Sequence, residues 1–201
     1  MNKDFFLNYN YSQFGEMLPY ERYKLYNWVK EFNIKNILEI GSGSGASTFY
    51  MANASNGKVY ACDPGRRLPE KLLKDFKNIE YFESTSEYLI DKIINEEIEI
   101  DYVFFDGPEI PELAINDILK LEKYLKDGCL FSMHDWETTK RNYDGSISVK
   151  CSKIRPYMEN SEKWQEVEIL SGLRVNSDFY VFENVNADSV GLSLYRYKSN
   201  K

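Results

Sequence analysis

An apolar run, Asn36-Ile37-Leu38, passes into Glu39 and Ile40 and then breaks into glycines at alternate positions, Gly41, Gly43 and Gly45, with Ser42 and Ser44 between them. Glycine admits positive φ and lets a bound group approach the backbone without meeting a Cβ. The helix-like segment from Ala46 presents unpaired N–H groups at its start. Further along, Asp63, Ser84 with Thr85, Asp106, and His134 with Asp135 each close a short apolar run. A carboxylate accepts two bonds from neighbouring hydroxyls. His134 is the only histidine; with an ordinary pKa of about 6.5 it would suit deprotonating a hydroxyl. The chemistry within reach is nucleotide binding combined with removal of a proton from a hydroxyl.

These residues need elements to bring them together. Tyr20–Phe32 has helical spacing and is predicted to pack against a sheet. A regular alternation follows: strand Ile34–Ile40, helix Ala46–Ala54, strand Lys58–Cys62, helix Leu68–Phe76, strand Ile79–Phe82, helix Ser86–Asn95, strand Ile100–Phe105, helix Leu113–Leu125 and strand Cys129–Met133. Short apolar strands alternating with helices predict an α/β fold with a parallel sheet covered on both faces. Right-handed crossovers then put every strand's carboxyl end on one edge. Glu39 with Gly41, Asp63, Ser84 with Thr85, Asp106, and His134 with Asp135 all fall on that rim, where open α/β sheets bind ligands. After Asp135 the pattern changes to a helix in Ser148–Asn160 and strands at Trp164–Leu170 and Val190–Tyr197, with Val181-Phe182 as further strand material.

The 201 residues read as one domain. Residues 1–33 form a helical cap, 34–136 a cofactor-binding core, and 137–201 an acceptor-side loop with a C-terminal hairpin. The charge of −7, with lysines and arginines scattered among acids, speaks against a nucleic-acid partner. Cys62, Cys129 and Cys151 show no metal or disulfide spacing, and Cys62 and Cys129 read as core residues. Absence of a signal peptide and of a long apolar stretch predicts a cytoplasmic protein without a membrane partner. Homodimerisation is left open.

Two readings of the glycine loop compete. Gly41-x-Gly43-x-x-Ala46 satisfies a dinucleotide fingerprint, and Asp63 lies 22 residues after Gly41 (63 − 41). That reading predicts an NAD(P)-dependent oxidoreductase. A pyrophosphate, however, wants a helix N-terminus aimed at it, whereas Glu39 at the strand end suits a cationic ligand better. On the second reading Leu38-Glu39-Ile40-Gly41-Ser42-Gly43-Ser44-Gly45, Cys62-Asp63, Glu83 to Leu89, Asp101 to Gly107 and Asp127 to Asp135 resemble class I S-adenosylmethionine-dependent methyltransferases. The likeness is to the catechol O-methyltransferase-like branch with its small bacterial O-methyltransferases.

This resemblance implies a Rossmann-like fold with a mostly parallel seven-stranded sheet and a C-terminal antiparallel strand. It implies O-methylation of a small hydroxylated acceptor, a sugar or a phenol. Glu39, Gly41, Ser42, Gly43, Gly45, Asp63, Ser84, Thr85 and Asp106 would contact S-adenosylmethionine, with Asp63 on the ribose and Glu39 near the methionine amino end. Asp106, His134 and Asp135 would be catalytic. Asp106 and Asp135 match positions that hold Mg²⁺ or another divalent cation in metal-dependent members. Two departures stand out: Ser84 replaces an Asp beside the adenine, and Trp136 stands where a third metal ligand is expected. A relative that keeps the fold without catalysis is the third reading. The aromatic-rich start and Tyr143 to Lys150 are expected to cover the acceptor.

Overall fold

The computed structural model describes residues 4–7, 17–65, 68–136, 150–173, 176–177, 180–181 and 190–199. In chain order the elements are α1 (Asp4–Leu7), α2 (Pro19–Glu31), β1 (Ile37–Ile40), α3 (Ala46–Ala54), β2 (Val59–Cys62), α4 (Glu70–Asp75), β3 (Ile79–Phe82) and α5 (Ser86–Asn95). There follow β4 (Tyr102–Phe105), α6 (Pro111–Glu122), β5 (Leu130–His134), α7 (Cys151–Glu159), β6 (Trp164–Leu173), β7 (Asn176–Ser177), β8 (Tyr180–Val181) and β9 (Val190–Tyr197). Seven strands form one sheet in the order β3-β2-β1-β4-β5-β9-β6. The first five are parallel, while β9 runs antiparallel to both β5 and β6. A separate two-stranded ribbon pairs β7 with β8 and includes Val181.

A parallel sheet covered on both faces favours near-continuous apolar strands, and every residue of β1, β2, β4 and β5 is buried, Glu39, Ser132 and His134 among them. Alternation of side chains along a strand then divides the core. Leu38, Ile40, Val103, Phe105 and Phe131 pack with residues of α5, α6 and α7. Ile37, Val59, Phe104 and Leu130 pack with α2 and α3. The three cysteines are free and buried. Phe5 and Phe6 are packed against Tyr26 and Tyr50, so the described part of the aromatic start is core material. Among the described residues no helix is long and apolar enough to cross a membrane.

Local hydrogen bonding explains where element ends depart from the sequence pattern. The apolar run from Ile34 does not enter the sheet until Ile37, because Asn33 takes φ 51 and the Lys35 and Asn36 N–H groups donate to Asp101 Oδ2 at 3.2 and 2.9 Å. Pro111 starts α6 two residues before Leu113, at the helix position where a missing N–H costs nothing. Strand β6 continues to Leu173, past Leu170, with register shifts between Glu166 and Glu168 and between Leu170 and Leu173. Of the expected acceptor-covering stretch, residues 143–149 lie outside the described residues and Lys150 inside them.

Candidate active site

Strand β1 has β2 on one side and β4 on the other, so the order of the sheet reverses there. A crevice opens at such a point beyond the carboxyl ends. The loop leaving β1 crosses it with Gly41, Gly43 and Gly45 at φ 83, 52 and 87. A Cβ on Gly41 would stand 2.1 Å from the Asp106 carbonyl oxygen, so only glycine fits where the loop passes the end of β4. The Gly41 and Ser42 N–H groups donate to the Cys62 carbonyl at 2.9 and 3.0 Å. Asp63, one residue beyond β2, fixes the next part of the loop: Oδ2 accepts from Gly43 N–H at 3.0 Å and Oδ1 from Gly65 N–H at 2.8 Å.

Glu39 lies beneath this loop and is fully buried. Both its oxygens accept from the first turn of α3, one from Ser47 Oγ and the other from Thr48 Oγ1 at 2.6 Å. Burial pushes its carboxyl up to about 7; the two hydroxyl bonds work in the opposite direction, and Asp106 and Asp63 add to the rise. Glu39 lines neither of the clefts that share Gly41. On the third strand's side, Thr85 caps α5 by accepting from Tyr88 N–H at 3.4 Å, and Ser84 Oγ lies 3.4 Å from the Thr85 carbonyl.

The ends of β4 and β5 supply the charged centre. Successive strand residues face opposite ways, which would send His134 and Asp135 apart. Strand β5 ends at His134, however, and Asp135 adopts φ 55. Asp is among the residues that tolerate this left-handed conformation. The turn brings both side chains together: His134 Nδ1 is 3.3 Å from Asp106 Oδ2 and 3.4 Å from Asp135 Oδ1. One ligating atom from each of Asp106, His134 and Asp135 falls within a 4.8 Å cluster.

Two members of this centre were not evident from the sequence. Glu21, buried in the first turn of α2, places Oε2 3.2 Å from His134 Nε2 and also accepts from Leu18 N–H at 2.8 Å. The available signal was Pro19 followed two residues later by an acid, a helix-start pattern that says nothing of a histidine 113 positions away. Lys150 precedes α7 and is fully buried. Its Nζ pairs with Asp106 Oδ1, sits 3.2 Å from Asp135 Oδ2 and 3.8 Å from Glu109 Oε1. No motif marks it.

Charge and burial oppose each other here, and charge prevails. Burial alone would discharge Lys150 and His134. Asp106, Asp135 and Glu109 nonetheless hold the lysine well above its usual range, and Asp135, Asp106 and Glu21 hold the imidazole well above 6.5. Burial would likewise raise Asp106, but Lys150 and His134 draw its carboxyl down to about 2. An imidazolium has no lone pair with which to accept a proton, so His134 in this setting is unsuited to general-base work.

Two clefts share Gly41. One, of about 430 Å³, is mainly apolar, with Ile40, Cys62, Pro64, Thr85, Pro108 and Leu113 in its walls. The other, of about 220 Å³, is polar and lined by Gly41, Ser42, Gly43, Ser44, Asp63, Asp106, Glu109, His134 and Asp135. Glycine loop, strand-end acids and histidine are thus gathered in one place, as their positions on the sheet require. Ser84 lines neither cleft.

Residues 38–136 match a family model described as a methyltransferase domain. No curated protein matches the chain in sequence. Solved structures share its fold at low identity. The O-methyltransferase of Bacillus cereus, in complex with SAH, is 16% identical with a TM-score of 0.69, over 93% of this chain and 84% of that one. The O-methyltransferase TomG of Streptomyces achromogenes, involved in tomaymycin synthesis and solved with SAM, is 14% identical with a TM-score of 0.69, over 91% and 82%. An rRNA methylase of Streptococcus thermophilus is 14% identical with a TM-score of 0.61, over 94% and 100%. Sheet order, glycine loop and family match agree: residues 38–136 carry a methyltransferase domain, and the chain has the fold of the solved methyltransferases.

Proposed function

We propose that the chain, as a single domain, transfers a methyl group from S-adenosylmethionine to a hydroxyl oxygen of a small acceptor such as a sugar or a phenol. The observation that carries this reading is the pair of clefts meeting at Gly41. The apolar one has the character to take a nucleoside base, with Thr85 at its wall. The polar, acid-lined one suits a cationic centre with an amino-acid tail. Asp63, at the end of β2 between them, is in position to accept from ribose hydroxyls. The same acids would repel a pyrophosphate, which weighs against a dinucleotide.

A bound sulfonium supplies an activated methyl: the O–CH₃ bond forms as the S–CH₃ bond breaks, and sulfur keeps the electron pair. The acceptor's O–H proton passes to water, and what remains for the protein is to orient the hydroxyl on the methyl. Asp106 lies in the polar cleft with Lys150 and His134 behind it, so it stays ionised and can accept the acceptor's O–H hydrogen bond. Asp135, held beside it by the β5 turn, fixes that arrangement. Of the three residues predicted to be catalytic, we assign orientation to Asp106 and support to Asp135 and His134.

Calorimetric titration tests the binding half: S-adenosylhomocysteine is expected to bind and NADH not to, and the reverse result removes the proposal. Methyl transfer from labelled S-adenosylmethionine to a panel of sugars and phenols tests the rest. D106N is expected to lower kcat by about 100-fold through lost orientation while retaining S-adenosylhomocysteine binding. An undiminished kcat would take Asp106 out of the reaction.

A further inference from the structure

We infer that the ε-ammonium of Lys150 occupies the cation position between the ends of β4 and β5, as a tethered replacement for a divalent metal ion. Asp106 and Asp135 are the two carboxylates that the family resemblance assigns to a metal. Lys150 Nζ pairs with Asp106 Oδ1 and lies 3.2 Å from Asp135 Oδ2, so it sits between the oxygens a metal would use. The lysine is wholly buried, with Glu109 Oε1 3.8 Å away as a third acidic neighbour.

The remaining donors do not suit a hard cation. Mg²⁺ requires near-octahedral oxygen ligands, but the third ligating group of this cluster is the His134 nitrogen, already engaged with Glu21 through its other ring nitrogen. Trp136, at the position of the missing ligand, is buried and packed against Tyr195 and the Arg155 guanidinium, and it has no ligating atom to offer. A metal entering here would have to expel a buried ammonium that balances two carboxylates. Removing one partner of such a buried pair is costly.

For the reaction, this makes Lys150 a positioning residue. It acts through Asp106 and Asp135, keeping them ionised and aligned, without touching the acceptor itself. This consequence rests on the methyl-transfer reading, but the occupancy of the cation position does not. The two can be tested apart.

Electron paramagnetic resonance of added Mn²⁺ reads the site without any turnover. The wild-type 201-residue chain is expected to leave millimolar Mn²⁺ free, and chelation with EDTA should leave its S-adenosylhomocysteine affinity unchanged. K150A opens the position, so it should bind Mn²⁺, and D106N placed on top of K150A should abolish that binding. K150R, which keeps the cation, should behave as wild type. A wild-type protein that binds one Mn²⁺ and loses it on D106N overturns the inference, as does a K150A protein that is folded by circular dichroism yet takes up none. Failure of methyl transfer with every acceptor, alongside these metal results, would count against the functional reading and leave the lysine assignment standing.

Discussion

At the scale of single residues, Glu39 joins a structural cost to a functional need. A carboxyl buried under a glycine loop would ordinarily shed its charge, and burial does raise it from 4.5 to about 7. Between those values the folded protein holds a proton that the unfolded chain releases, so stability falls as pH rises through that window. The full loss, reached above about 7, is on the order of 3 kcal/mol. E39Q removes the titration but keeps an acceptor for one of the two hydroxyls. In urea unfolding across pH, wild-type stability should drop relative to E39Q between pH 4.5 and about 7 and run parallel to it above. Parallel curves throughout would mean that Glu39 is not penalised by its burial. The sequence made Glu39, Asp63, Asp106 and the His134-Asp135 pair readable because each stands where an apolar run stops. It could not reveal Lys150 or Glu21, whose partners lie 44 and 113 positions away and whose own neighbourhoods carry no chemical pattern. Nor could it tell that Asp135 would turn with φ 55, the feature that lets two adjacent residues face one site.

Among elements, the five parallel strands were legible from their apolar runs, because a sheet covered on both faces leaves few polar positions to blur the signal, here Glu39, Glu80, Ser132 and His134. The C-terminal part was less so, since β9 enters the sheet between β5 and β6 and pairs with strands distant in the chain. One carboxylate holds that region to the rest. Glu122, the last residue of α6, accepts from Tyr157 Oη of α7 at 2.6 Å and Trp164 Nε1 of β6 at 2.5 Å through Oε1, and from Lys163 Nζ at 2.9 Å through Oε2. Its backbone carbonyl accepts from Tyr197 Oη of β9 at 2.8 Å. Truncation would leave a buried indole N–H and a phenol without their acceptor, and such losses cost about 1–3 kcal/mol each. E122A should therefore be destabilised by roughly 3 kcal/mol in urea unfolding. The S-adenosylhomocysteine affinity of the folded protein should not change, because none of these contacts touches the clefts. An unaltered midpoint would show that packing of Trp164 and Tyr197, not the carboxylate, joins these elements.

For the molecule as a whole, the fold alone does not choose the acceptor, since chains of this architecture include an rRNA methylase as well as O-methyltransferases. Charge separates the alternatives. The chain carries −7, and the polar cleft presents Asp63, Asp106, Glu109 and Asp135, while the lysine paired with the last three is wholly buried. Binding RNA depends on neutralising several phosphates with lysines and arginines, and its affinity falls steeply with salt as counterions are released. An acidic rim works against that, most strongly at low ionic strength, while a neutral sugar or phenol meets no such barrier. Filter binding with a structured ribosomal RNA fragment should accordingly detect no saturable complex at low salt. Turnover of a neutral acceptor should, for the same reason, vary little as salt is raised, because neither partner brings counterions to release. Tight RNA binding that weakens steeply with salt would place the acceptor among nucleic acids. It would also require a basic surface away from this cleft, which offers phosphate mainly carboxylates.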